Sequence, residues 1–287
     1  MSVDALFHPD GELWVPSDFA RGPWSPDALH GGPAAALMAR AAESVPSEEP
    51  MDTARLTVEL LRPVPVTPLA VSATVVRPGR KVQLVDVRLG DGDRDLAWAR
   101  ALRIRRLDAA GAAVLAAATK ESATKESATK ENGADAVAPP GPDAGYRSPE
   151  PVSGYRGFHT EGAEMRWVAG EFGRRGPATV WVRLAVPVVP GEEPSPLERV
   201  VAAADFGNGV SSVLDFQNFL FINPDLTVYL SRLAMGEWIC LDASTTLGAP
   251  GVALARSALW DTQGRIGTSV QSLLVEKREW KEPRSAE

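Results

Sequence analysis

A chain of 287 residues, 44% hydrophobic and 23% charged, can build one large or two ordinary cores without disulfide or metal staples. Its net charge of −7 argues against a nucleic-acid partner, because phosphate backbones are held by basic faces. The single cysteine excludes an internal disulfide and points to a reducing compartment. No apolar stretch approaches the roughly 20 residues that span a membrane, and no basic-then-apolar leader opens the sequence, so the expectation is a cytoplasmic protein without membrane insertion.

In chain order, "GELWVPSD" reads as a short strand, followed by a Gly/Pro/Trp-rich loop. "HGGPAAALMARAAES" then opens a helix with Pro33 at a plausible first helical position. After the "PSEEP" break, "ARLTVELLRPVPV" and "LAVSATVVRPGRKVQLVDVRLGDGDRDLAWARALRIRRL" alternate apolar residues around the turn signals "RPGR" and "GDGD", which predicts a run of antiparallel strands. Within it "LRIRRL" is most simply one polar face of a strand.

Composition shifts near Ala109, where Ala-Thr-Lys-Glu-Ser repeats. Glu121 with Lys125 and Glu126 with Lys130 are i,i+4 pairs, but no apolar face exists, so 109–150 reads as a solvated linker, partly helical at best. Strands resume with "AEMRWVAGEF" and "ATVWVRLAVPVV". The helix "LERVVAAADFGNGV" and a second meander follow, with Cys240 read as a buried small hydrophobe in the strand "EWICLDAS".

The second segment thus repeats the element order of the first. "LTVELLR" (56–62) and "LTVYLSR" (226–232) share five of seven residues at an offset of 170, and the same offset nearly superposes the turns "GDGD" (90–93) and "DTQG" (261–264). Together these support a duplicated domain. The expected class is α+β, with each sheet wrapping a helix, and a division into 1–108, a linker at 109–150, and 151–287.

"ALHGGPAAAL", "VELLRPVP", "VVRPGRKVQLV", "AADFGNG", "LFINPDLTVYLSR" and "GTSVQSLLV" occur in an order that resembles the double-hotdog acyl-CoA thioesterases, the type II enzymes and their actinobacterial relatives. The resemblance covers nearly the whole chain except the linker. It implies two helix-gripping antiparallel sheets joined into one continuous sheet, a homo-oligomer of such units, and an acyl-CoA substrate. No cofactor is implied beyond the coenzyme A carried by that substrate. It also implies hydrolysis by water positioned by an Asp, a Gln and a Thr or Ser, without a covalent serine. On this sequence those positions are Asp205, Gln271 and, where the family has threonine, Asn223. An Asn can donate and accept but lacks a hydroxyl's geometry.

The residues fit that chemistry on their own terms. N–H groups at a helix start are unpaired donors able to polarise a thioester carbonyl, and Gly31 and Gly32 would let a ligand approach them or simply make a tight entry turn. His30 beside them reads as a cap, a packing residue or a base. Asp205 is a carboxylate in an apolar helix and needs a salt bridge or a water. The offset places Ala35 opposite it, so one competent site per chain is expected. Gln271, alternating with Val270 and Ser272, belongs on the inner face of its strand or faces solvent. Arg77, Arg80 and Lys81 form a basic turn that either binds coenzyme A phosphates or is a solvated hairpin tip. No G-x-S-x-G elbow, metal-ligand spacing or glycine-rich phosphate loop is present. A non-catalytic acyl-CoA or lipid-binding hotdog is the competing reading. A hotdog dehydratase would need a His–Asp pair that is not evident in the sequence.

Overall fold

A computed structural model describes residues 4–115, 137–148 and 156–278. Four strands follow the first helix: β3 (Met51–Leu60), then the meander β4 (Leu69–Arg77), β5 (Val82–Gly90) and β6 (Asp95–Arg105), whose last strand returns to pair with β3. The second half builds the same set: β11 (Ile239–Leu247), β12 (Val252–Asp261), β13 (Gly264–Lys277) and β10 (Asp225–Leu230). Each set is extended by a strand pair, β1 (Phe7–Asp10) with β2 (Leu13–Pro16), and β7 (Ala163–Ala169) with β8 (Ala178–Leu184).

The order across the sheet is β1-β2-β4-β5-β6-β3-β10-β13-β12-β11-β8-β7, with the short β9 (Phe219–Ile222) pairing the end of β13. That order reads the same from either end once equivalents are matched. The centre is the antiparallel pair β3–β10, in register at Thr57↔Thr227, whose hydroxyls lie 3.2 Å apart. The 170-residue offset seen in the sequence is therefore the pseudo-twofold relation of the sheet. The segment that follows β8 comes back to β1, where the N–H groups of Leu6 and Phe7 donate to the Pro187 and Val188 carbonyls.

The sheet wraps two helices, α1 (Gly31–Ser44) and α2 (Pro196–Ala204), and one continuous core spans both halves. Ala34, Ala35, Ala36, Ala39 and Ala42 of α1 are all buried, and such small faces allow unusually close helix contact. A Cβ on Gly32 would stand 2.6 Å from the Ala202 carbonyl oxygen, so glycine is what α2 requires there. α1 begins at Gly31, two residues before Pro33, because His30 takes the cap position. The second helix is not continuous: Asp205 ends α2, and α3 (Gly207–Val210) resumes after Phe206.

Two expectations need correction. Arg103 is not on a polar strand face. It is buried, and its guanidinium donates to the Val45 carbonyl (2.8 Å) and Gln83 Oε1 (2.9 Å), while Ile104 is exposed. Nor is Ala35 the counterpart of Asp205. Six residues (45–50) join α1 to β3, whereas 211–224, including β9, separate α3 from β10, so the strand offset does not carry into the helices. Cys240 is buried as expected, and burial pushes its thiol pKa up. Of the 109–150 segment, 109–115 is an exposed helix and 137–148 lies against β7 through a Tyr146–Trp167 bridge and against β8 through the Trp181 indole N–H, which donates to the Pro140 carbonyl at 2.7 Å; the Ala-Thr-Lys-Glu-Ser repeats with their Glu–Lys pairs lie outside the described residues.

Candidate active site

Where α2 ends, its backbone turns and leaves the Asp205 side chain pointing at the start of α1. A Cβ on Gly31 would lie 2.7 Å from Asp205 Oδ2, so the missing side chain makes room for the carboxylate. His30 Nδ1 is 2.8 Å from Oδ2. The Gly32 N–H lies 3.1 Å from the same Nδ1 and also bonds the carboxylate. A lone pair on Nδ1 facing a buried carboxylate would be repulsive, so Nδ1 carries the proton and donates to Asp205, and the Gly32 N–H serves the carboxylate. That leaves His30 Nε2 as an acceptor with no hydrogen bond among the described residues.

The other carboxylate oxygen is held from the second half. Asn223, between β9 and β10, donates Nδ2–H to Oδ1 at 2.8 Å, and Gln271 of β13 donates Nε2–H to Oδ1 and to the Asp205 carbonyl, both at 3.3 Å. Gln271 Oε1 accepts the Asn208 N–H at 3.0 Å, and Asn208 Nδ2 is 3.5 Å from Asn223 Oδ1. Burial alone would raise the Asp205 pKa; the His30 ring, then Asn223 and the Gly32 N–H, outweigh it and hold the carboxyl below its usual range.

The site opens onto a cavity of about 850 Å³ walled by both halves, from Gly22–Gly31 and Leu60–Val64 on one side to Phe172, Phe206 and Phe216 on the other. His30, Gly31, Asp205, Asn208 and Asn223 line it, and so does His159. Gln271 and Gly32 do not reach the cavity; they hold Asp205 from behind. Trp24, which lines the cavity, packs against Phe216 (6.0 Å), also in its wall, and against Phe221 behind it (5.8 Å).

The structure therefore gathers His30, Gly31, Gly32, Asp205, Asn223 and Gln271, and does not bring Arg77, Arg80 or Lys81 to them. That turn caps the β4–β5 hairpin away from the cavity, with Arg80 paired to Glu49 (3.3 Å) and Arg77 bonded to the Val82 carbonyl (3.2 Å). The cations that do line the cavity are Arg62, Arg147 and Arg278. Gly32 is corrected from a donor to substrate to a donor to Asp205. A His–Asp pair, not evident in the sequence, is made by two residues 175 positions apart. Asn208 was in view inside "AADFGNG", whereas nothing in the local sequence marks His159. Among the described residues no cluster of His, Cys, Asp and Glu could hold a metal, and no helix is long and apolar enough to cross a membrane.

A duplicated helix-wrapping sheet with one polar site between its halves defines a double hotdog. Residues 20–106 match the N-terminal domain, and residues 132–275 the C-terminal domain, of acyl-CoA thioesterases, so the chain belongs to the acyl-CoA thioesterase family. Among solved structures it is similar to a conserved protein of unknown function with a hot dog fold from Alicyclobacillus acidocaldarius (TM-score 0.67, 17% identity, 95% of this chain and 96% of that one). It is also similar to an acyl-CoA thioesterase II from Mycobacterium marinum (TM-score 0.60, 15% identity, 98% and 97%). At those identities the likeness speaks for the fold. No protein of curated function matches the chain.

Proposed function

We propose that the protein hydrolyses an acyl-CoA thioester to the free acid and coenzyme A in the His30–Asp205 cavity. The observation that carries this is the buried Asp205 carboxylate held 2.8 Å from the His30 ring in the wall of a largely apolar chamber large enough for an acyl chain. Asp205 accepts from His30, Gly32, Asn223 and Gln271, which fills the roughly four lone-pair sites of a carboxylate. Water is therefore deprotonated by His30 Nε2, with Asp205 fixing the ring and stabilising the imidazolium that forms, rather than by Asp205 directly. The Gly31 N–H, at the positive end of α1 and without an acceptor among the described residues, offers one donor to the developing oxyanion. Asn223 in place of a threonine spends its amide on Asp205, so it positions the carboxylate instead of the water. Arg62 and Arg278 at the cavity, in place of the distant Arg77 turn, meet the coenzyme A phosphates.

Free-thiol release across a panel of short to long acyl-CoAs tests this. Turnover of at least one chain length, lost in His30→Asn, is expected. Saturable binding across the panel with no thiol released would overturn hydrolysis and favour a non-catalytic acyl-CoA binder, a reading to which the missing hydroxyl at position 223 lends support.

A further inference from the structure

Two imidazoles line the cavity, and the scheme above uses one. His159 sits in a five-residue turn (Phe158–Gly162) whose backbone is closed on Gly157: the Glu161 and Gly162 N–H groups donate to its carbonyl at 2.9 and 3.1 Å, and its own N–H donates to Thr160 Oγ1 at 3.0 Å. The turn is pinned to the dyad. Phe158 N–H donates to the Arg21 carbonyl at 2.9 Å, and the Phe158 ring packs against His30 (5.1 Å) and stacks on Phe206 (5.2 Å). His159, one residue on, is thereby held on the cavity wall with little freedom.

Its two nitrogens differ. Nδ1 is buried without a hydrogen-bond partner, leaving Nε2 as the edge that faces the chamber. Burial first, and the neighbouring His30 second, hold its pKa down to about 4, so the ring is neutral at pH 7. Of the two neutral tautomers, the one with the proton on Nε2 spares the structure a buried orphan N–H, the rarer and costlier defect. The cavity then presents an acceptor on His30 and a donor on His159, two identical side chains given opposite polarity by their surroundings.

The geometry points to His159 as a second catalytic residue, whose Nε2–H hydrogen-bonds the carbonyl oxygen of the bound thioester while His30 removes the proton of the attacking water. The inference rests on the thioester-hydrolase reading. In the step, the water oxygen bonds to the carbonyl carbon, its proton passes to His30 Nε2, and the C=O electron pair moves to the oxygen held by His159 and the Gly31 N–H. Collapse re-forms C=O, breaks the C–S bond, and the proton on His30 goes to the leaving thiolate. His159 keeps its proton throughout.

The test pairs turnover with the infrared carbonyl stretch of a bound acyl-CoA ketone analogue in which CH2 replaces the thioester sulfur. His159→Phe is expected to lower kcat by about 10²–10³-fold with KM within about threefold, and to abolish the downshift of the carbonyl stretch seen in the wild type. His159→Gln, which keeps an N–H donor, is expected to recover at least tenfold of the loss. His159→Leu serves as the apolar variant if thermal melts show that the phenyl ring is not accommodated. An unchanged stretch, or kcat within threefold of wild type in the apolar variant, overturns the inference while leaving hydrolysis intact. A stretch that depends on His159 in a protein that turns over no thioester overturns the hydrolysis reading and keeps the carbonyl contact.

Discussion

The two ends of the α1–α2 helix pair are built alike and behave oppositely. At one end the start of α1 faces Asp205 at the end of α2; at the other, the start of α2 faces Glu43 near the end of α1, with Ser195 Oγ donating to Glu43 Oε2 at 2.6 Å. Asp205 is ringed by donors and its pKa is held down. Glu43 has the Ser195 hydroxyl and a second buried acid nearby, Glu198, and burial pushes both up, Glu198 to about 7. Each helix start carries the same partial positive charge, so the dipole does not separate the two ends. The surrounding side chains do. At Asp205 the His30 ring and the amide donors outweigh burial and keep a carboxylate that can drive an imidazole; at Glu198 burial prevails, with Glu43 adding a smaller push, and the group serves as a cap.

The largest effect that would break this comparison is at Asp205. Asp205→Asn is expected to lower kcat by roughly 10³–10⁴-fold and to lower Tm at pH 7 by more than in acid, since the donors around it lose their carboxylate, whereas Glu43→Gln should leave thiol release within about twofold. Gly31→Ala comes next. Its Cβ would press on the carboxylate, and the displaced dyad should lose about 10²-fold in kcat, measured in the same assay. Ser195→Ala, at the opposite helix start, should instead cost about 1 kcal/mol of stability by denaturant titration, with activity unchanged.

The smallest effects are in pH dependence, and their signs oppose. A depressed pKa stabilises the fold above the group's ordinary range and loses that stabilisation as pH falls through the folded value, so acid melts should report Asp205 and flatten in Asp205→Asn. A raised pKa works the other way: the contribution of Glu198 is present below its unfolded value near 4.5 and is lost as pH rises through about 7. Glu198→Gln keeps the capping box, in which Glu198 Oε2 accepts the Ser195 N–H at 2.9 Å. It should raise Tm by roughly 2–4 °C at pH 8 and leave it unchanged at pH 5. Equal shifts at both pH values would show that the two ends do not differ in charge state.

Much of the fold was legible because strand pairing repeats residue patterns. The shared "LTV" of β3 and β10 marks the strands that meet at the pseudo-twofold, and alternation located the meanders on either side. Asp205, Asn223 and Gln271 came through the family resemblance and do converge on one carboxylate. The basic turn at Arg77–Lys81 was open between a phosphate site and a solvated hairpin tip, because charge in a sequence has no direction; in the fold it is the tip of the β4–β5 hairpin and does not line the cavity. Glu43 and His159 were missed for a related reason. One becomes the counterpart of Asp205 only through antiparallel helix packing, and the other joins the site only because Phe158 docks on His30.

The sequence by itself determined that the chain duplicates a helix-and-meander unit and that its first helix is small enough to be gripped. Local periodicity and backbone permission decide such things. Only the tertiary structure decided that Gly31 yields space to a carboxylate, that His30 and Asp205 form a pair, and that two histidines face one chamber with opposite polarity. Those outcomes depend on distances between segments more than a hundred residues apart, and a side chain's proton is placed by whatever the fold sets against it.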